Sequence, residues 1–231
     1  MENKISTGTA ILDWLLEGGY EKDVLTTIYG PAGSGKTNIC LLCLANIPKD
    51  KKAIYIDTEG SFSVTRFKQI TDDYENILKR VIFLKPTNFE EQKNCFSELK
   101  SFVNEKISLI ILDSVAMLYR LELGKSKDVY TVNRELGLQL SLLIEIARKK
   151  LIPVLITNQV YADFENKNKV NLVGGDILKY QSKCLIELQK VGSFRKAILR
   201  KHRSLPDEKK VFFKIVNSGI EEVEEIKEKN I

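Results

Sequence analysis

Histidine is nearly absent: His202 is the only one in 231 residues, and the cysteines are limited to Cys40, Cys43, Cys95 and Cys184. Cys40 and Cys43 form a C-x-x-C pair, yet no second pair and no histidine cluster completes a zinc site. Three apart in a helical stretch, the two thiols share a face and read as small buried apolar groups rather than metal or redox ligands. Long apolar runs are missing too. No segment reaches the roughly 18 apolar residues that a membrane helix needs. The opening "MENKISTGTAILDWLLEGG" carries no apolar run or cleavage pattern of a leader. A cytoplasmic protein with no membrane partner is the expectation. Internal repeats and low-complexity segments are also lacking, and neither sign of charge dominates. Lys plus Arg minus Asp plus Glu is 36 − 31 = +5, a mildly basic balance that suits a nucleic-acid partner without demanding one.

What is present is enough apolar material, 43% of residues, for one sizeable core. Short all-apolar runs at 24–29, 53–57, 81–84, 108–113 and 151–157 predict strands covered on both faces. Helices are expected between them at 36–47, 88–103 and 131–150. In the last, Leu136, Leu140, Leu143, Ile144 and Ala147 recur at helical spacing. The alternation predicts an α/β fold with a mostly parallel central sheet and helices on both faces. From 183 to 217 three β-rich stretches follow one another without an intervening helix, which predicts an antiparallel extension of the same sheet. The acidic tail "EEVEEIKEKNI" is expected as a short helix or frayed end.

Residues 30–37, "GPAGSGKT", match G-x-x-x-x-G-K-[ST] between a predicted strand and a predicted helix, the context a P-loop requires. Gly30, Pro31, Ala32, Gly33, Ser34 and Gly35 form a loop whose amides can turn inward around phosphate oxygens at a helix start. Lys36 reaches the outer phosphates, Thr37 offers a hydroxyl to Mg²⁺, and Asn38 follows in the same nucleotide-binding set. The implied cofactors are ATP and Mg²⁺. A carboxylate at the end of another strand must hold the metal shell, and "LIILDSV" supplies Asp113; a helix-capping Asp is the simpler alternative. Glu59 in "IDTEG" is the candidate base that activates water, with Asp57 as rival or as a turn cap. Gln159 ends the strand in "TNQV", where its amide can sense the terminal phosphate or simply be a satisfied loop amide.

These stretches, in this order and spacing, resemble the RecA recombinase superfamily, and within it the archaeal recombinase paralogues called RadB, over nearly the whole chain. "ISTGTAILDWLLEGGYEKDVLTTIYGPAGSGKT" resembles the core signature, with Ser6, Thr7 and Gly8 leading into the first helix. "YIDTEGSFSVTRF" resembles the stretch carrying the catalytic glutamate, which falls on Glu59, and an arginine that packs against adenine, which falls on Arg66. The resemblance gives Asp113 and Gln159 the metal-binding and glutamine-switch roles, and implies a RecA-like P-loop core over 1–231. It also implies two DNA-binding loops, at roughly 118–131 and 160–174. The first offers Arg120, Lys125 and Lys127, with Tyr119 and Tyr130 able to stack on bases; the second offers Lys167 and Lys169. The helix-hairpin-helix domain and Phe-x-x-Ala linker of full archaeal recombinases are not expected here. Residues 194–197 fit that motif only by letters.

Lys201, His202 and Arg203, extended upstream by Arg195, Lys196 and Arg200, form a cationic run. Three readings stay open for it: a solvated turn, a DNA-backbone contact, or a K-x-R finger of Lys201 and Arg203 reaching a neighbour's nucleotide, similar to that of hexameric RecA-like ATPases. The function expected is that of a DNA-dependent ATPase with weak turnover, accessory to a full recombinase in recombination and repair. Two alternatives are a P-loop small-molecule kinase and a non-hydrolysing mediator switched by ATP. A kinase should carry an arginine-rich lid, and here the arginines lie late, in a β-rich stretch.

Overall fold

The computed structural model describes residues 3–162 and 170–224. Its first elements are β1 (Lys4–Ile5), α1 (Ala10–Leu15), β2 (Tyr20–Glu21), β3 (Leu25–Gly30), α2 (Lys36–Ala45) and β4 (Lys52–Asp57). Next come α3 (Val64–Ile70), α4 (Tyr74–Leu78), β5 (Val81–Leu84), α5 (Phe89–Phe102), β6 (Ile107–Asp113), α6 (Met117–Lys125) and α7 (Val129–Lys150). The remainder comprises β7 (Val154–Ala162), β8 (Val170–Leu172), α8 (Gly175–Gln181), β9 (Cys184–Val191), β10 (Phe194–His202), β11 (Lys210–Val216) and β12 (Gly219–Glu222).

One sheet organises the described residues, in the order β12-β11-β10-β9-β3-β7-β6-β4-β5, with β8 pairing β7 beside that path. Strands β9, β3, β7, β6, β4 and β5 are mutually parallel, and β9 through β12 continue antiparallel. Side-chain parity explains the apolar runs. Tyr55, Leu109 and Ile111 point to the face covered by α1 to α4, while Ile54, Ile56, Ile110 and Leu112 point to the face covered by α5 to α8. Burial on both faces favours apolar residues at successive positions, so the apolar–polar alternation of a half-exposed strand disappears from most of these runs.

Local chemistry sets the helix ends. The Asn88 carboxamide oxygen accepts from Glu91 N at 2.9 Å, and Glu91 Oε2 accepts from Thr87 N at 2.7 Å, bracketing the start of α5. Asp128 caps α7 by accepting from Thr131 N at 3.0 Å, which starts that helix ahead of the expected 131. Arg148, Lys149 and Lys150 occupy its last turn, where the macrodipole favours cations.

Three expectations need correction. Residues 118–131 are not a loop: α6 and the start of α7 occupy most of them. In α6 the exposed Met117 and Leu121 alternate with the buried Leu118 and Tyr119, so its apolar residues do not form one stripe. Of the stretch expected as the second loop, 160–174, the described ends pair with each other as β7 and β8, and α8 begins only at Gly175, beyond it. The start of the acidic tail is neither helical nor frayed: Gly219–Glu222 pairs with β11, aided by a 2.9 Å ion pair from Lys214 to Glu221. The letters of Phe-x-x-Ala at 194–197 fall inside β10, where Ala197 is buried in the core. Cys40, Cys43 and Cys184 are free and buried, and burial raises each thiol's pKa.

Candidate functional site

The ends of β3, β4, β6 and β7 lie side by side because the sheet order brings these four strands together. That is the edge of an open α/β sheet at which ligands bind. The loop after β3 turns into α2 through Gly33 (φ +68°) and Gly35 (φ +104°), conformations that a side chain disfavours. Lys36 Nζ donates to Gly30 O at 2.9 Å and Pro31 O at 3.0 Å. Burial lowers its pKa, and the carboxylates of Glu59 and Asp113 oppose that shift. Ser34 Oγ, on the same loop, is buried with no hydrogen-bond partner among the described residues.

Thr37 Oγ1 donates to Asp113 Oδ2 at 2.7 Å, so the loop and the end of β6 meet where the motif needs them. Asp113 does not point into packed core. Its Oδ2 also accepts from Tyr55 Oη and Ser61 Oγ, both at 3.0 Å, and its Oδ1 accepts from Thr157 Oγ1 at 2.5 Å. Neutral hydroxyls of four residues orient this carboxylate, and it makes no ion pair with any cationic side chain among the described residues. Glu59 faces the same cleft. It accepts from Ser114 Oγ, and from Gln159 Nε2 at 3.1 and 3.3 Å. Asp57 is turned away from that work: its two oxygens accept from Ser61 N and Phe62 N, which makes it the cap of the turn after β4. The cleft measures about 260 Å³, with Ala32, Lys36, Thr37, Glu59, Asp113 and Gln159 in its wall.

Arg66 lies beside the cleft. All five of its N–H donors are engaged: Nε to Asn38 Oδ1 at 2.8 Å, Nη1 to Gln69 Oε1 and Asn217 O, and Nη2 to Val216 O and Gly219 O. With its edges satisfied, only the flat face of the guanidinium is left for a ring to stack upon. Asn38 thus acts through Arg66, and its amide is 3.5 Å from Gly219 O.

Tyr55, Ser61, Ser114 and Thr157, whose hydroxyls hold the two carboxylates in place, were not among the expected site residues. The signal for them lay in polar residues interrupting apolar strand ends. Ile215 was missed too. It joins the wall of the cleft from β11, and its Cδ1 would stand 3.1 Å from a Cβ built on Gly35. Nothing local to residue 215 announces that contact.

Among the DNA candidates, Arg120, Lys125 and Lys127 are exposed and make no ion pair with any described residue. Tyr130 is 77% exposed, whereas Tyr119 is 5% exposed and donates to Asn133 Oδ1. Tyr119 therefore offers no free ring for stacking. Lys167 and Lys169 lie outside the described residues. The late cationic run is not one patch. Arg195 touches the P-loop, Arg200 pairs with Glu187 and Glu208, and Lys201 Nζ donates to Lys179 O at 2.6 Å. Arg203 binds Glu21 at 3.0 Å and both oxygens of Asp23 at 2.8 Å. Because β10 runs antiparallel to β9, Lys201 and Arg203 sit at the sheet end opposite the P-loop, roughly 20 Å from Arg195 at about 3.4 Å per residue. A contact of theirs to nucleotide is thus not with the loop of their own chain.

A parallel sheet that presents a glycine loop, a strand-end aspartate and a glutamate–glutamine pair on neighbouring strands defines a RecA-like P-loop protein. The Rad51 family model matches residues 3–223, and the chain belongs to that family. It is 42% identical over 227 residues to the DNA repair and recombination protein RadB of Methanobrevibacter smithii, covering 94% of this chain and 95% of that protein. The RadB of Methanococcus maripaludis strain C7 is 44% identical over 214 residues, covering 91% and 97%. Among solved structures, a crystal structure of the RadB recombinase superposes with a TM-score of 0.81 at 37% identity, covering 95% of this chain and 99% of that one.

Proposed function

We propose that this protein binds ATP with magnesium, binds DNA, and serves as a slowly hydrolysing accessory of homologous recombination and repair alongside a full recombinase. The observation that carries the nucleotide reading is the 2.7 Å bond from Thr37 to Asp113, with Lys36 held on the loop beside it. The residues fit the group they would hold. The unpartnered Ser34 hydroxyl, the remaining Lys36 proton and the positive-φ glycines form a cradle suited to a phosphate chain. Thr37 and Asp113 are oxygen donors of the kind magnesium takes. When bound, ATP supplies the phosphoryl group and magnesium tempers its charge.

Glu59 is the general base in this reading, and Ser114 and Gln159 fix its carboxylate in the wall of the cleft. Gln159 sits on β7, whose far end pairs with β8 around the second DNA stretch. A change in the Glu59–Gln159 contact would therefore be felt at both sites. DNA contact by Arg120, Lys125, Lys127, Lys167 and Lys169 is part of the same proposal, as phosphate binding with Tyr130 available for stacking. The test is DNA binding measured with ATP, with ADP and without nucleotide, each titrated against salt. Tighter, salt-sensitive binding with ATP supports the reading. Binding that ignores the nucleotide, or a flat salt response, would remove the coupling or the DNA site respectively.

A further inference from the structure

The antiparallel extension does more than widen the sheet. At its edge nearest the P-loop, paired positions of the β9–β10 hairpin place Lys190 and Arg195 on one face, side by side. Arg195 Nε donates to Gly33 O at 3.3 Å, and its Nη1 donates to Phe194 O at 2.9 Å, so the guanidinium ties the hairpin to the crest of the loop. Lys190 Nζ stands 3.2 Å from where a Cβ on Gly33 would be; the ammonium occupies the room that a side chain at 33 would take. Lys190 is exposed and has no carboxylate partner among the described residues, unlike Arg200, Arg203, Lys209 and Lys214 on the same extension. Its charge nevertheless bears on Lys36, alongside Glu59 and Asp113. Lys190 and Arg195 thus stand side by side at the crest of the loop, and neither makes an ion pair with a described carboxylate. Two like charges this close repel each other, and a phosphate anion between them would relieve that repulsion.

We infer that Lys190 is a phosphate-binding residue of the nucleotide site, brought from the C-terminal hairpin to close over the phosphate chain held by the P-loop, and that Arg195 is the positioning residue that keeps hairpin and loop together. The inference rests on the nucleotide reading above and adds a residue that the loop motif does not contain. It also gives the extension a reason to pack so tightly: Leu188 O would lie 2.3 Å from a Cβ on Gly30, so β9 tolerates only glycine at the start of the loop.

The test measures ATP, ADP and adenosine affinity by calorimetry for the parent protein and for Lys190→Ala, Lys190→Arg and Lys196→Ala. Lys196 lies on the same hairpin but on the other face, over the Phe212 ring, and serves as the charge-matched control. Lys190→Ala is expected to weaken ATP about tenfold, as for one charge-assisted contact, ADP less, and adenosine not at all. Lys190→Arg should retain ATP affinity. At about 0.5 M salt, where screening acts over roughly 4 Å, the difference between parent and Lys190→Ala should persist. Equal loss in Lys196→Ala, or a difference that vanishes in salt, would reduce Lys190 to a share of the general field and overturn the inference. Unchanged ATP affinity in Lys190→Ala overturns it alone, whereas a parent that binds neither ATP nor ADP removes the nucleotide reading as well.

Discussion

Two of the three protons on the Lys36 ammonium bind carbonyls of its own loop, so the loop aims the third into the cleft. Lys36→Ala removes that donor and the charge behind it. ATP affinity should fall at least about tenfold, near 1.4 kcal/mol, and calorimetric affinity equal to the parent's would refute the site. Glu59→Gln keeps the shape and the contact with Ser114 but cannot take a proton. Turnover should drop by about 10² or more while ATP affinity holds; equal loss of both would argue for a structural glutamate. His202 makes a residue-scale prediction for stability. Its side chain is 1% exposed, burial pushes its pKa down, and Glu21 at 3.7 Å pulls the other way, with Lys4 and Arg203 adding to the depression. A base with a depressed folded pKa takes its proton more readily when unfolded. Stability is therefore full above about pH 6.5 and declines as pH falls below it. The urea midpoint should be lower at pH 5.5 than at pH 7.5, with part of that difference absent in His202→Gln.

Between elements, the contacts that matter are backbone approaches and one guanidinium. Gly8, in the turn before α1, adopts φ +87°, and a Cβ there would stand 2.1 Å from Leu42 O on α2. Gly8→Ala should cost more than about 2 kcal/mol, read as a lower urea midpoint at unchanged slope; a midpoint within error of the parent would show that α1 and α2 can part freely. Arg66 joins α3 and Asn38 to the turn between β11 and β12. Lysine has one ammonium where the turn needs a fork, so Arg66→Lys should lower the melting temperature and weaken ATP together. The element-scale pattern was legible where it was strong. Four of the five predicted parallel strands begin and end within one or two residues of the observed ones, β7 alone starting later and running on, and α5 and α7 were visible through spacing and capping residues. α6 and α8 were not, because α6 has no single apolar stripe and α8 is only seven residues long.

For the whole molecule, the question is how a polyanion would meet it. Arg120, Lys125 and Lys127 share the α6 region, while the late cationic run is divided between the two ends of β10 and largely neutralised by Glu21, Asp23, Glu187 and Glu208. Single-stranded DNA binding should weaken steeply with salt. Combined loss of Lys125, Lys127, Lys167 and Lys169 should reduce the slope of log K against log salt by about 0.7 per phosphate contact removed. An unchanged slope in that variant would move the DNA contact elsewhere on the surface.

The order of residues by itself determined the P-loop, the alternation of strands and helices, and the carboxylates at strand ends, because each rests on neighbours within a few positions. Only the tertiary structure decided which strand ends meet. Whether Asp113 faces Thr37, whether Asp57 caps or catalyses, and which cations of a continuous run stay unpaired all depend on strand order and direction. Those are set by packing between elements that lie as much as 195 residues apart, as Lys209 and Trp14 do, and no local propensity carries that information.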